Sequence, residues 1–149
     1  MYFAILAIHN LVRWLVVAAG IWAVVRCWRG WVTRSQWTPA HAGAVKLFVN
    51  VLSLQFLIGL IVYGVSPLIR EAMSDMGAAM GNAPVRYFVV EHAVVMILAV
   101  ALAHIGSARV RRAQSDSARF QTATIWMGFA LAAVVGFIPW TTRPLFPSF

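Results

Sequence analysis

The sequence has few charged side chains, and acidic ones are the scarcest. Of the 149 residues, 11% are charged, and Asp and Glu together number only 4. A soluble domain carries about 25% charged residues, and a chain this short exposes a large share of its surface to the solvent. Since 62% of the residues are hydrophobic, the composition excludes a water-soluble domain and predicts contact with a lipid bilayer.

Cysteine and the common catalytic motifs are also missing. With a single cysteine, Cys27, the chain has no internal disulfide, and we interpret this residue as a small apolar filler. The sequence contains no glycine-rich phosphate loop, no H-E-x-x-H zinc motif and no G-x-S-x-G elbow. No apolar run is broken near its middle by proline or paired glycine, as in many transporters. Motifs therefore assign no enzymatic reaction.

The formal net charge of +8 raises the question of nucleic-acid binding. The arginines, however, fall in short connections between long apolar runs. No separate basic domain remains to present a nucleic-acid face, so no nucleic-acid partner is predicted.

Four apolar runs are each long enough to cross a membrane. A transmembrane helix needs about 20 mostly apolar residues, and a backbone in lipid must satisfy its own hydrogen bonds. We therefore predict an all-α fold in which residues 1–149 form a single integral membrane four-helix bundle. The spans are expected at about residues 2–28, 43–65, 86–108 and 119–138.

Three further expectations concern the parts around these spans. Residues 1–8 carry no Lys or Arg, unlike the start of a signal peptide, so the first span is expected to be retained. Residues 67–80 are expected to form a short helix on the membrane surface. Four glycines are expected to allow close helix packing: Gly59, Gly64, Gly128 and Gly136.

The basic residues divide unevenly between the two ends of the predicted bundle. Eight lie in or beside the first and third connections: Arg26, Arg29, Arg34, Lys46, Arg109, Arg111, Arg112 and Arg119. Three lie towards the other end: Arg70, Arg86 and Arg143. Because cytoplasmic loops are enriched in Lys and Arg, we expect the termini on the non-cytoplasmic side. The expected location is the cytoplasmic (inner) membrane of a bacterium, with both termini in the periplasm.

Ionisable residues inside spans mark candidate functional sites. His9, Arg13, Glu91 and His92 are such residues, and the amide Gln55 lies in the second span. At about 1.5 Å rise per residue, His9 and His92 both lie about 10 Å below the outer ends of their helices. Arg13 follows His9 by one turn, on the same helical face. These five side chains are predicted to form a polar layer in the outer half of the bundle.

Two imidazoles on facing helices can supply both axial ligands of a haem iron. We therefore predict one haem b, with His9 and His92 as the metal ligands. In this hypothesis Arg13 pairs with a propionate. Glu91 either orients an imidazole or pairs with Arg13.

Two other interpretations stay open. The polar layer can be a purely structural network that holds the helices together, or Glu91 and His92 can serve a quinone or a proton relay. A second haem is not predicted, because the first span has no histidine at the depth of His104. His41 and His104 are interpreted as interfacial histidines.

The order of several short motifs resembles small four-helix bacterial membrane proteins labelled cytochrome-b-like. The matching segments are His9-Asn10-Leu11-Val12-Arg13-Trp14, Gln55 with Gly59-Leu60, Arg86 with Glu91-His92 and Met96, and Ile138-Pro139-Trp140. Ala93 stands where that pattern usually has proline. The resemblance implies a four-helix fold and a cytochrome-like function, and it directs attention to the same polar layer.

The leading functional hypothesis is a b-type haem protein that transfers electrons within the membrane. It is an electron carrier, associated with a larger redox complex or with further copies of itself, rather than a stand-alone enzyme. The alternative is a haem-free accessory or assembly subunit whose polar layer is structural.

Overall fold

The computed structural model of the protein describes residues 1–140. In that part the chain is helical and contains no β-strand. The helices are α1 (Tyr2–Val32), α2 (Pro39–Val65), α3 (Pro67–Ser74), α4 (Met76–Gly81), α5 (Ala83–Arg86), α6 (His92–Arg112) and α7 (Asp116–Gly136). A π-helical turn, Tyr87–Glu91, joins α5 to α6, so Ala83–Arg112 is one continuous helical segment.

Four segments are long and apolar enough to cross a membrane: α1, α2, Ala83–Arg112 and α7. Many of their large apolar side chains are about half exposed, among them Leu15, Leu57, Leu98 and Phe129, as a lipid-facing surface requires. The predicted all-α, four-helix membrane bundle is confirmed.

The helices extend beyond the predicted spans at the arginine-rich end. α1 continues to Val32, α2 begins at Pro39, and α6 continues to Arg112. Apolar runs show only the part of a helix that lies in hydrocarbon, whereas Arg and Trp remain acceptable helix residues outside it. The 31 residues of α1 span about 46 Å, well beyond the ~30 Å hydrocarbon core.

The four long helices surround one core. α1 packs against α2 and α7, α6 packs against α7, and α2 and α6 make a less extensive contact. The largest fully buried side chains are Phe48, Phe120, Met127, Val16 and Cys27. Cys27 is thus a buried, free thiol in the core, as expected of an apolar filler.

Close helix packing depends on glycines other than those expected. Among residues 1–140, a Cβ built on Gly64, Gly128 or Gly136 would meet no atom within 4 Å, so the expectation for these three was wrong. Gly20, Gly30 and Gly106 are close approaches, since a Cβ there would lie 2.7 Å, 2.2 Å and 2.3 Å from α7 side chains. Spacing along the sequence cannot show which face of a helix meets its neighbour, and that face decides where glycine is needed.

Residues 67–80 form two short helices rather than one. The break lies at Asp75, whose carboxylate accepts a hydrogen bond of 2.9 Å from the Ala78 amide and so starts α4. Ile69, Ala72 and Ala79 are buried in a small second core. This segment therefore packs over one end of the bundle. Arg143, one of the cations assigned to this end, lies outside the described residues.

Candidate functional site

A cavity of about 510 Å³ lies in the half of the bundle covered by α3, between α1, α2 and the segment leading into α6. Most of its lining is aliphatic or aromatic. The polar exceptions within the spans include His9, Asn10, Arg13, Gln55 and His92. Four of the five predicted site residues therefore line one cavity; the exception is Glu91. Pockets for small ligands have this size and this mostly apolar lining with few polar groups.

α1 contributes His9 and Arg13, one helical turn apart. Arg13 is 5% exposed, and its guanidinium lies 5.4 Å from the centre of the Trp14 ring. His9 is within electrostatic range of both Arg13 and His92. Its Nδ1 atom is buried and has no hydrogen-bond partner among residues 1–140. A buried ring nitrogen without a partner is costly in a folded protein, which makes His9 a candidate ligand-binding group.

Two residues of α2 lie against His9. The Gln55 side chain donates a hydrogen bond of 2.9 Å to the His9 backbone carbonyl. Its own carbonyl, Oε1, is buried without a partner in the described part of the chain. One turn further along α2, a Cβ on Gly59 would lie 3.1 Å from Cε1 of His9. The missing side chain at Gly59 therefore leaves the space that the His9 imidazole occupies.

The π-helical turn positions His92. In a π-helix each amide bonds to the carbonyl five residues earlier, and here the His92 amide bonds to the Tyr87 carbonyl. The Tyr87 and His92 rings consequently lie side by side, with centroids 5.9 Å apart. An α-helix would turn residues five apart by about 140° from each other.

Both of these rings bond to the same backbone atom, which lies directly after α7. The Tyr87 hydroxyl donates to the Phe137 carbonyl at 2.6 Å, and His92 Nδ1 lies 2.9 Å from the same oxygen. A carbonyl only accepts, so the proton of His92 is on Nδ1 and Nε2 carries the free lone pair. Phe137 caps the C-terminal end of α7, where carbonyls lack intrahelical donors. His92 is thereby held in the tautomer that suits a metal ligand.

Glu91 has a different partner from those considered from the sequence. Its carboxylate forms an ion pair of 2.7 Å with Arg86 Nε, and the two side chains are about 40% exposed. Arg86 also donates to the Met80 carbonyl at 3.1 Å. The pair is again five residues apart, so the π-helical turn explains it too. Glu91 therefore ties this turn to α4, and its ion pair is with Arg86 instead of Arg13.

The two remaining histidines lie apart from this cavity. His41 Nδ1 accepts a hydrogen bond of 3.1 Å from the Thr38 amide at the start of α2, and its ring packs edge-on against Phe120. His104 Nε2 lies 2.9 Å from the Ser53 hydroxyl. Each imidazole thus has a local structural partner.

Few ligand sets are available to a metal. Within residues 1–140 no group of three or more His, Cys, Asp or Glu side chains is placed to bind an ion. Haem iron needs only two axial protein ligands, and His9 and His92 are the two imidazoles that share the cavity.

Sequence reasoning missed Tyr87 and the Phe137 carbonyl. The π-helical turn brings Tyr87 and His92 together at this carbonyl. Its five-residue spacing cannot be recognised when the sequence is analysed with the α-helical period. Gly59 was expected to allow close helix packing. Its position beside His9 depends on how α1 and α2 are rotated about their own axes.

Comparison with protein-family models, with curated proteins and with solved structures finds no match to this chain. The site is therefore described by its geometry alone.

Proposed function

We propose that this protein binds one haem b in the cavity between α1, α2 and α6 and transfers electrons within the membrane. The observation that carries the proposal is the pair of imidazoles, His9 and His92, in one largely apolar cavity. His9 Nδ1 is buried without a hydrogen-bond partner in the described part of the chain, and the Phe137 carbonyl holds the proton of His92 on Nδ1. When bound, haem supplies reversible one-electron transfer.

The surrounding residues fit this assignment. His9 and His92 would hold the haem iron, and Gly59 leaves room for the His9 ring. Arg13 lines the cavity one turn from His9, where its guanidinium would pair with a carboxylate such as a propionate. Gln55 holds the α1 backbone at His9. The apolar lining would exclude water and so raise the reduction potential relative to an exposed haem.

The cellular setting belongs to the same proposal. The chain would lie in the cytoplasmic membrane of a bacterium, with both termini in the periplasm and a larger redox complex, or further copies of the chain, as partner. Support comes from the basic residues at the end of the bundle where α1 and α6 terminate, including Arg29, Arg109, Arg111 and Arg112. Fusion of a compartment-sensitive reporter to the C-terminus tests the orientation.

The decisive test of haem binding is spectroscopic. The full chain is expressed with haem supplied, purified in mild detergent, and recorded oxidised and dithionite-reduced. We expect a Soret band that shifts on reduction, and we expect His9→Ala and His92→Ala each to change it. His104→Ala is the matched control, because this histidine lies on the same helix as His92 but outside the cavity, and it should leave the spectrum unchanged.

Two results would overturn the proposal: a featureless visible spectrum of the wild-type chain, or a haem spectrum that both cavity variants leave unchanged. Size-exclusion chromatography of each variant separates loss of haem from loss of folding. Rescue of the His9→Ala spectrum by added imidazole would identify that histidine as an axial ligand.

A second candidate function is a haem-free accessory subunit with a structural polar layer. The observation that favours it is that three cavity-side contacts connect different helices: Gln55 to the His9 carbonyl, and Tyr87 and His92 to the Phe137 carbonyl. Such interhelical hydrogen bonds contribute about 1 kcal/mol each. Under this candidate the chain would co-purify with a larger complex, lack a Soret band, and lose stability in His92→Ala.

A further inference from the structure

A second cavity, of about 630 Å³, lies near the opposite end of the bundle, between α2, α6 and the start of α7. No residue of the described part of the chain lines both cavities. Three cations line the second one: Lys46 on α2, Arg111 on α6 and Arg119 on α7. Neutral polar groups and valines complete its wall, among them Asn50, His104, Ser107, Val45 and Val49.

These cations are weakly compensated. Among the described residues Asp116 is the acid in this region, and it pairs with Arg119 at 3.6 Å. Lys46 and Arg111 form no ion pair within residues 1–140. Arg111 donates a hydrogen bond of 2.9 Å to the Ser107 hydroxyl, which fixes its guanidinium beside the cavity. The site therefore presents net positive charge to any anion that enters it.

The cavity lies close to the helix ends at the arginine-rich end of the bundle. Arg111 is in the last turn of α6, and Lys46 lies seven residues into α2, or about 10 Å from that helix end. His104 reaches about as far in from the end of α6. Val49, about 15 Å from the start of α2, gives the deeper part of the wall an apolar surface beside the polar side chains of Asn50 and His104.

The contact between α2 and α6 continues from the second cavity towards the other end of the bundle. These helices pack less extensively than the other neighbouring pairs. Leu57 lies on the same α2 stripe as Lys46, and Ile97 on the same α6 stripe as His104. Both apolar side chains are more than half exposed. An acyl chain that follows this contact would therefore meet an apolar surface.

We propose that this second cavity, lined by Lys46, Arg111 and Arg119, binds the phosphodiester headgroup of an anionic phospholipid, with its acyl chains along the contact between α2 and α6. Basic pockets between transmembrane helices are suited to such headgroups. The neutral groups Asn50 and Ser107 would add hydrogen bonds to the phosphate oxygens. The headgroup site is independent of the haem proposal, because the two cavities share no lining residue among those described, although Ile97 on the path of the acyl chains also lines the first cavity.

The test is native mass spectrometry of the full chain in detergent, titrated with dioleoylphosphatidylglycerol or, for comparison, dioleoylphosphatidylcholine. We expect one tightly retained phosphatidylglycerol and weaker retention of phosphatidylcholine. Lys46→Gln with Arg111→Gln should weaken phosphatidylglycerol binding about 25-fold, since each cation near an anionic lipid contributes a factor of about five. Lys46 is exposed, and Lys46→Gln alone should weaken phosphatidylglycerol binding about fivefold.

The control removes the same charge from the same end of the bundle but outside the cavity: Arg29→Gln with Arg112→Gln, both exposed. It should leave retention close to that of the wild type. Equal losses in both double variants would overturn the proposal in favour of general charge attraction. Displacement of the lipid by millimolar inorganic phosphate would overturn it in favour of a simple anion site. Equal retention of the two lipids would also refute it.

Discussion

Gly106 of α6 packs against α7 with no room for a side chain, and Gly106→Ala should separate the two helices. A Cβ at this position would lie 2.3 Å from Cβ of Trp126 and 2.8 Å from Cε of Met127. Non-bonded carbons rest about 3.5 Å apart or more, so the first contact is short by about 1.2 Å. The Met127 methyl can rotate away. Trp126 Cβ cannot, because the α7 backbone holds it.

The free-energy change follows from two opposing terms. Overpacking costs about 1–3 kcal/mol, and a clash with an atom fixed to the backbone belongs at the upper end, near 3 kcal/mol. Alanine favours a helix over glycine by about 1 kcal/mol. The net loss in the free energy of unfolding should therefore be about 2 kcal/mol.

Gly128→Ala is the matched control. Gly128 lies inside α7, and a Cβ there would meet no described atom within 4 Å. In this variant only the higher helix propensity of alanine changes the free energy of unfolding. Both variants are unfolded by a titration with sodium dodecyl sulfate and followed by tryptophan fluorescence. Their free energies of unfolding should differ by about 3 kcal/mol. If Gly106→Ala were as stable as Gly128→Ala, the close approach of α6 and α7 at this position would be refuted.

Two further predictions concern the π-helical turn. Tyr87→Phe removes the donor to the Phe137 carbonyl and should lower the free energy of unfolding by about 1 kcal/mol, whereas Tyr2→Phe should change it little. An equal effect of both would contradict the structural role of Tyr87. Glu91→Gln weakens a half-exposed pair with Arg86, so it should cost at most about 1 kcal/mol and leave any haem spectrum at its wild-type form. Loss of the Soret band in Glu91→Gln would show that the carboxylate acts on the cavity after all.

The polar layer shows what the helical rise per residue can predict and what it cannot. The depth of His9 follows from the rise per residue of an α-helix, and the structure has His9 and His92 in one cavity. The depth of His92 does not follow from that rise alone, because the turn before it, Tyr87–Glu91, is π-helical. The partner of Glu91 does not follow from that rise. The π-helical turn changes which residues share a face, and this brings Glu91 to Arg86 and His92 to Tyr87.

The glycines show the complementary limit. Gly128 and Gly136 were expected to pack closely, yet a Cβ on either would meet no atom of residues 1–140 within 4 Å, whereas a Cβ on Gly106 would meet α7. Sequence fixes where a glycine lies along a helix. How the helix is rotated about its own axis follows from packing against the other helices, so the residues in contact become known only in the folded bundle.

By itself the sequence determined that the chain is a bundle of four membrane-crossing helices. Long apolar runs must face lipid, and a backbone in lipid must form its hydrogen bonds within its own helix. The membrane location and the helical structure therefore follow without knowledge of tertiary contacts. Only the tertiary structure decided the rotation of each helix, the π-helical turn before His92, the cradle of His9 at Gly59, and the basic cavity between α2 and α6. These features arise where helices meet, and the energy of their side-chain contacts is set by neighbours distant in the sequence.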